Sequence, residues 1–325
     1  MHIGIAYDLK DDYLAEGFSE EAAAEFDPLD TIEAIEAALI ALGYTTDRIG
    51  NVRRLITRLT AGDRWDMVFN IAEGLHGLGR ESLVPALLDA YGIPYTFSDP
   101  VVLGLSLHKG LAKRAVRDLG VPTPDFAVVA DRLDAGDVTL PGPLFVKPVA
   151  EGTSKGINAS SKVTDPSSLP DQCDKLIRAF RQPVLVETYL PGREFTVGVL
   201  GTGRAARAVG VLEVAVRGQA DTDAYSFATK KNYRDLVDYS RLDGELARAC
   251  TELALRVWRG LGCRDAGRVD LRLDAAGTPN FLEVNPLAGL HPIDSDLPII
   301  CRLSGIAYGQ LIDQIMRSAR ERMNE

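Results

Sequence analysis

Hydrophobic and polar residues alternate in two short runs near the end of the chain, at residues 268–273 and 281–285. A period of two is typical of β-strands, whose successive side chains point to opposite faces. A turn-forming segment with Gly277 and Pro279 separates the runs, so the pattern predicts a β-hairpin. We expect its aliphatic residues, Leu282 among them, to pack in the core. The polar residues are expected to share the opposite face: Arg268, Asp270, Arg272, Glu283 and Asn285.

The first hundred residues alternate between buried strands and amphipathic helices. Residues 2–7 and 65–71 are apolar runs of strand length, and residues 30–33 have the form of a helix capping box before apolar residues at helical spacing. This alternation predicts a doubly wound parallel sheet, whose ligands bind beyond the carboxyl ends of the strands. The loops at 7–27 and 72–81 are therefore candidate ligand loops.

The pattern changes near Asp99, after which a helix is predicted at residues 106–119. Three β runs follow with little helix between them, at 143–148, 184–190 and 194–200, and these predict an antiparallel sheet. The chain is thus predicted to combine an α/β part with an α+β part. A polar stretch near residues 220–239 has no clear periodicity, which is typical of a surface loop and also of a lid beside an active site.

Composition limits the function classes. The chain has 325 residues, 46% of them hydrophobic, and a net charge of −10, which argues against a general nucleic-acid binder. No apolar run is long enough to span a bilayer, and the N-terminal residues lack the pattern of a signal peptide. The four cysteines have no paired spacing, so we expect neither a zinc site nor disulfides, and a cytoplasmic location.

Oxygen ligands converge on the predicted hairpin if its register brings the polar faces together. Asp270, Glu283 and Asn285 would offer two carboxylates and an amide carbonyl, a set that suits Mg²⁺ bound jointly with phosphate. The alternative is a solvated face of a two-sided hairpin. The loop that follows, with Gly289, exposes backbone N–H groups that can hold an anion, which favours a site. The loop at 151–156 is weak evidence for phosphate binding alone, but Lys147 precedes it on a strand.

The order of these motifs resembles the ATP-grasp ligases, and within them the D-alanine-D-alanine ligase family. The motifs are Lys109, FVKP at 145–148, EGTSKG at 151–156, Glu187 to Val197, GRVD at 267–270 and EVN at 283–285. The resemblance implies a three-domain ATP-grasp fold with divisions at 1–98, 99–187 and 188–325, and with ATP held between the last two. It also implies two Mg²⁺ ions, with Mn²⁺ as an alternative, and a homodimer.

The same resemblance implies roles for individual residues. For ATP, these are Lys109 and Lys147 at the phosphates, Thr153 and Ser154 in the covering loop, Glu187, Tyr189 and Leu190 at adenine, and Glu194 at the ribose. Asp270, Glu283 and Asn285 would hold the metals. Lys230 would close over the γ-phosphate, and Arg268 with the Gly289 N–H would stabilise the tetrahedral oxygen.

The departures from the family pattern fall at the substrate end. Glu25 or Asp27 would replace the family's amine-binding glutamate, His76 matches a substrate-side histidine, and Ser295 matches the serine that binds the second substrate. Arg80 stands where the family has an acid, and Lys231 replaces a tyrosine. These two added cations indicate an acidic substrate.

We therefore interpret the sequence as an ATP-dependent carboxylate-amine ligase that joins amino acids or amino-acid-like acids through an acyl phosphate, releasing ADP and phosphate. Strict D-alanine-D-alanine synthesis is one alternative. A kinase-like phosphotransferase is another, against which the oxyanion pair of Arg268 and Gly289 argues. A regulatory nucleotide-binding module is a third alternative. The complete set of three predicted metal ligands argues against it, because a module without turnover would not need them.

Overall fold

The computed structural model describes residues 1–216 and 237–323, and its first part is a parallel sheet with helices on both faces. The strands, in spatial order β2-β1-β3, are β1 His2–Ala6, β2 Thr45–Gly50 and β3 Met67–Asn70. The helices are α1 Lys10–Ala15, α2 Leu29–Ala41, α3 Val52–Thr60 and α4 Leu83–Ala90. One face packs on α2 and the other on α3 and α4, which confirms the doubly wound pattern.

A four-stranded antiparallel sheet follows, in the order β4-β7-β5-β6. Its strands are β4 Phe126–Val129, β5 Leu144–Pro148, β6 Lys162–Val163 and β7 Val184–Thr188. The accompanying helices are α5 Pro100–Leu107, α6 Lys109–Asp118, α7 Arg132–Gly136 and α8 Leu169–Phe180. Short 3₁₀ segments lie at Arg80–Ser82, Ala159–Ser161, Pro166–Ser168 and Gly203–Ala205.

The third sheet is antiparallel, in the order β10-β9-β8-β11-β12. Its strands are β8 Glu194–Leu200, β9 Arg207–Val216, β10 Val237–Arg241, β11 Ala266–Leu273 and β12 Pro279–Asn285. The last helices are α9 Glu245–Leu261, α10 Asp296–Leu303 and α11 Tyr308–Arg322. Helix α9 buries Trp258 against this sheet, whereas α11 packs in the core of the N-terminal sheet.

The predicted hairpin is confirmed as β11–β12, with Arg268 opposite Asn285 and Asp270 opposite Glu283. The register shifts after Asp270, so that Leu271 pairs with Phe281 and Leu282 becomes an extra residue. This bulge turns Leu282 toward a cleft, where it lines the wall. The prediction that Leu282 packs in the core was therefore wrong.

Two helix predictions also need correction. Helix α2 begins at Leu29 after the extended residue Pro28, without a side-chain cap, so residues 30–33 lie inside the helix and form no capping box. The predicted helix at 106–119 is two helices that meet at His108. The extended backbone of His108 ends α5, and its Nδ1 accepts a hydrogen bond from the Leu111 N–H at 3.2 Å. This break places Lys109 in the first turn of α6.

Within residues 1–216 and 237–323, no helix is both long and apolar enough to cross a membrane.

Candidate active site

A cleft lies between the central and C-terminal sheets, and most of the predicted ATP residues line it. Strands β5, β7 and β8 contribute charged residues, and β11 and β12 contribute the polar face of the hairpin. The predicted residues on its wall are Lys109, Lys147, Thr153, Ser154, Glu187, Tyr189, Leu190, Glu194, Arg268, Asp270 and Glu283. Phe145, Ile157 and Leu282 add apolar surface of the kind that a planar base can stack on.

Two lysines bring positive charge to this cleft. Lys147 Nζ lies 2.7 Å from a Glu187 oxygen, and Lys109 Nζ lies 3.2 Å from Glu283 and donates to the Glu151 carbonyl at 2.6 Å. Both lysines are largely buried, so their charge acts in a medium of low dielectric constant. Two such cations are suited to neutralising phosphate oxygens.

Glu187 is held between two lysines, which sequence reasoning did not foresee. Lys113 Nζ lies 2.8 Å from its carboxylate, and Lys113 is completely buried. Burial alone would raise the pKa of Glu187, but Lys113 and Lys147 together lower it to about 2. The same burial lowers the pKa of Lys113 to about 8. That Glu187 contacts adenine stays a prediction. Its carboxylate already forms ion pairs with both lysines.

Glu194, predicted at the ribose, lies on the next strand with a different environment. Arg272 approaches it at 3.3 Å and also donates to the Tyr189 hydroxyl at 3.2 Å. Burial nevertheless raises the pKa of Glu194. Arg272 thus links Glu194 and Tyr189 on the wall of the cleft.

The polar face of the hairpin brings together the predicted metal ligands. Asp270 and Glu283 are directly opposite each other, and the Asn285 amide donates to Asp270 at 3.3 Å. Arg268 forms an ion pair with Asp270 and lies 3.5 Å from Asp296. Burial would raise the pKa of Glu283, but Lys109, Lys147 and Arg268 hold it well below its ordinary value. Glu283 is therefore a carboxylate kept ionised by surrounding cations.

The residues present fit a divalent cation shared with phosphate. One oxygen of Asp270, Oδ1, is buried without a hydrogen bond, and the donor set consists of oxygens alone. In the described part of the chain, no three acidic, histidine or cysteine side chains are grouped closely enough to hold a metal by themselves. Mg²⁺ keeps several positions for water and phosphate, so two carboxylates and an amide are sufficient.

The loop at 151–156 is bent into an unusual shape over the cleft. Thr153 and Ser154 both have left-handed backbones, with φ of 50° and 56°. Non-glycine residues in this region are strained by about 1–3 kcal/mol and concentrate at ligand sites. Glu25, from the loop after β1, accepts a hydrogen bond from the Gly152 N–H at 2.5 Å, which fixes the loop at 151–156 from outside.

A second, larger cavity of about 520 Å³ lies beside the cleft, and the two share Lys109, Thr153, Arg268 and Glu283. Its wall carries five more of the predicted residues. These are Glu25, Asp27, Asn285, Gly289 and Ser295. The Ser295 hydroxyl accepts a hydrogen bond from the His291 N–H at 3.0 Å, which holds it at the start of α10.

Two predicted substrate residues are not brought to either cavity. His76 is exposed on its loop. Arg80 is buried and donates to Glu25 and to the Ala150 carbonyl, both at 2.8 Å. Because its guanidinium is already paired, Arg80 provides no free cation for an acidic substrate. Lys230 and Lys231 lie outside the described residues.

Sequence reasoning missed Glu73 and Glu81, which line the larger cavity. Both belong to the loop after β3 that the topology marked as a candidate ligand loop. The signal that could have found them is their position beyond the carboxyl end of a strand.

Comparisons with known proteins agree with this geometry. A family model described as D-ala D-ala ligase C-terminus matches residues 116–317. An uncharacterised protein of Sinorhizobium fredii is 34% identical over 306 residues, covering 89% of this chain and 87% of its own. A D-alanine–D-alanine ligase of Bordetella petrii is 32% identical over 290 residues, which cover 88% of this chain and 86% of the ligase.

Solved structures share the fold along the whole chain. A D-alanine–D-alanine ligase of Bacillus anthracis in complex with ATP has a TM-score of 0.74 at 22% identity, covering 100% of this chain and 99% of its own. A D-Ala:D-Ser ligase, VanG of Enterococcus faecalis, has a TM-score of 0.74 at 20% identity, and the match covers 98% of this chain and 99% of VanG. The family model and the relatives together show that this chain belongs to the D-alanine–D-alanine ligase family of ATP-grasp ligases.

Proposed function

We propose that this ligase uses ATP to phosphorylate the carboxylate of one amino acid or amino-acid-like acid and then joins the acyl group to the amine of a second. The observation that carries the proposal is the contact between the two cavities. The charged cleft and the larger cavity share Lys109, Arg268 and Glu283, so a γ-phosphate and a carboxylate can meet there. Phosphoryl transfer depends mainly on such positioning and on charge neutralisation.

The nucleotide is proposed to lie in the cleft. Lys109 and Lys147 would bind its phosphates, the Thr153–Ser154 loop would cover them, and Lys230 would close over the γ-phosphate. The backbone at Tyr189 and Leu190, together with Glu187, would contact adenine, and Glu194 would contact the ribose. The apolar wall formed by Phe145, Ile157 and Leu282 supports this orientation, because it lies on the cleft and away from the larger cavity.

Asp270, Glu283 and Asn285 would hold two Mg²⁺ ions, or Mn²⁺ in their place. When bound, these ions neutralise charge on the transferring phosphoryl group. Arg268 and the Gly289 N–H would stabilise the negative oxygen formed when the amine attacks the acyl carbon. Ser295 is proposed to hold the carboxylate of the second substrate. We also propose that the enzyme acts in the cytoplasm, where ATP is supplied, and as a homodimer.

The test is release of ADP and phosphate with defined pairs of amino acids, including the D-alanine pair, followed by mass spectrometry of the product. We expect phosphate to appear only when an acid and an amine are both present, together with a dipeptide or amide. A phosphorylated acid as the sole product would instead support a phosphotransferase. Exclusive use of D-alanine would identify a strict D-alanine–D-alanine ligase.

A further inference from the structure

Arg268 is the proposed oxyanion donor, and its guanidinium is held by two carboxylates. It forms an ion pair with Asp270 on the same strand, and its Nε lies 3.5 Å from an oxygen of Asp296. The side chains of Arg268 and Asp296 are each 16% exposed. A guanidinium has five N–H groups in one rigid plane, so these two contacts orient the plane and leave other N–H groups for a substrate oxygen.

Asp296 belongs to a different element from the hairpin. It is the first residue of α10, directly after Ser295. An aspartate in the first turn of a helix interacts favourably with the helix dipole, which would explain an exposed carboxylate at this position. Asp296 is instead partly buried and lines both the cleft and the larger cavity. Helix stabilisation alone therefore does not account for its place in the site.

Tyr239 holds Asp296 from the third sheet. Its hydroxyl donates a hydrogen bond to Asp296 Oδ1 at 2.7 Å. Its backbone is fixed by the pairing of β10 with β9, and its side chain packs against a cluster that includes Ile299 and Ile300. Both isoleucines belong to α10, so Tyr239 contacts the carboxylate of Asp296 and also the helix that carries it.

The two oxygens of Asp296 have separate partners. Oδ1 accepts from Tyr239, and Oδ2 is the oxygen that lies near Nε of Arg268. Rotation of the carboxylate would break the hydrogen bond to Tyr239, so the second oxygen is kept beside the guanidinium. Asp270, the other partner of Arg268, is also proposed as a metal ligand, whereas Asp296 is not. Asp296 is thus the carboxylate that can hold Arg268 when Asp270 binds the metal.

This chain of contacts lies where the two cavities meet. Tyr239, Asp296 and Arg268 line both the cleft and the larger cavity. The γ-phosphate and the substrate carboxylate are proposed to meet at the same place. A displacement of about 1 Å in a group that acts on the reacting atoms can lower the rate by about 10²-fold. The orientation of Arg268 should therefore determine kcat.

We propose that Asp296 and Tyr239 are positioning residues, which orient the Arg268 guanidinium so that it can stabilise the negative oxygen formed at the acyl carbon. The inference rests on the proposed ligase function, and it adds two residues that act through Arg268 rather than on the substrate. Neither of them was predicted from the sequence.

The test is a double-mutant cycle in ATP-dependent phosphate release, with an acid and an amine that the wild type joins. Asp296→Asn keeps the size of the side chain and should lower kcat by about 10- to 100-fold, while KM for ATP changes less than about threefold. In the Arg268→Ala background, the same substitution should lower kcat less than about twofold, because the group that Asp296 positions is gone. Losses that multiply would overturn the proposal, since Asp296 would then act independently of Arg268.

Tyr239→Phe removes only the hydroxyl and keeps the packing on α10. It should lower kcat by about 2- to 10-fold, and it should have no further effect in the Asp296→Asn background. If Asp296→Asn does not fold, as judged by urea denaturation, the cycle of Tyr239→Phe with Arg268→Ala tests the same coupling. Wild-type kcat in Tyr239→Phe would overturn the role of the tyrosine.

Asp294→Asn is the matched control, because it makes the same change on the wall of the larger cavity, where Asp294 lies 3.7 Å from His291. Its kcat should stay near that of the wild type, and a loss as large as that of Asp296→Asn would contradict a specific role for Asp296.

The two levels of the inference fail in different ways. If no acid and amine together release phosphate, although ATP binds, the ligase function fails and the positioning role fails with it. If ligation proceeds but the losses in the cycle multiply, the ligase function stands and only the positioning role fails.

Discussion

Glu187 is the common partner of two buried lysines, and its replacement by glutamine tests the electrostatics of the cleft. Its carboxylate lies 2.7 Å from Lys147 and 2.8 Å from Lys113, and its side chain is 4% exposed. Lys113 would keep its contacts with Thr123 at 2.8 Å and with the Phe281 carbonyl at 3.3 Å. Neither contact supplies negative charge, so Glu187→Gln leaves two buried lysines without their counter-ion.

The magnitude follows from the pKa of Glu187, which falls from its ordinary 4.5 to about 2. At about 1.4 kcal/mol per pH unit, this contributes about 3 kcal/mol to the free energy of unfolding. Breaking a buried ion pair by removing one partner costs a similar 3–5 kcal/mol or so. Because the folded pKa is the lower one, the contribution is complete above about pH 4.5 and is lost as the pH falls through about 2. It should be roughly halved at pH 3.

The measurement is equilibrium urea denaturation at pH 7 and pH 3, without nucleotide, on the wild type and on two variants. Glu194→Gln is the control, because it changes another carboxylate on the same cleft whose pKa is raised by burial. Arg272 keeps its bonds to Gly192 and Tyr189 in that variant, so we expect a change of less than about 1 kcal/mol. The reasoning is refuted if Glu187→Gln loses no more stability at pH 7 than Glu194→Gln does.

Three further predictions concern the hairpin. Glu283→Gln should remove ATP-dependent ligation while circular dichroism at 25 °C shows a folded protein, although loss of the ion pair with Lys109 should lower the thermal midpoint; unchanged turnover would contradict the metal assignment. Arg268→Ala should lower kcat by about 10²-fold or more and KM for ATP much less, as for other oxyanion donors, whereas wild-type kcat would place the oxyanion donors elsewhere. Gly267→Ala should destabilise the fold by about 1–3 kcal/mol in denaturation, since a Cβ there would lie 2.4 Å from the Asn285 carbonyl oxygen. Gly136→Ala, with nothing within 4 Å, is its control and should be near neutral.

The hairpin could be predicted because every signal for it is local. A period of two and a turn with Gly277 are enough to predict two paired strands with their polar residues on one face. The bulge at Leu282 could not be predicted in the same way. It shifts the register by one residue after Asp270, and this shift brings Glu283 rather than Leu282 opposite Asp270.

The ion pairs of the site could not be predicted, because they join residues that are distant in sequence. Arg80 and Glu25 are 55 residues apart, and they meet only because two loops at the carboxyl ends of β1 and β3 lie side by side. Sequence alone marked Arg80 as an added cation but could not show that it is neutralised. The expectation of an acidic substrate therefore loses the support that it drew from Arg80.

The residues proposed to bind the nucleotide and those proposed to bind the metal compensate each other's charge. In the described structure, Lys109 pairs with Glu283 and Arg268 with Asp270, so both cations already have a carboxylate partner where phosphate is proposed to bind. If Lys109 left Glu283 to bind phosphate, the buried carboxylate would be unpaired, which costs free energy. A divalent cation bound to the same carboxylate would remove that cost, because it would take the place of the lysine.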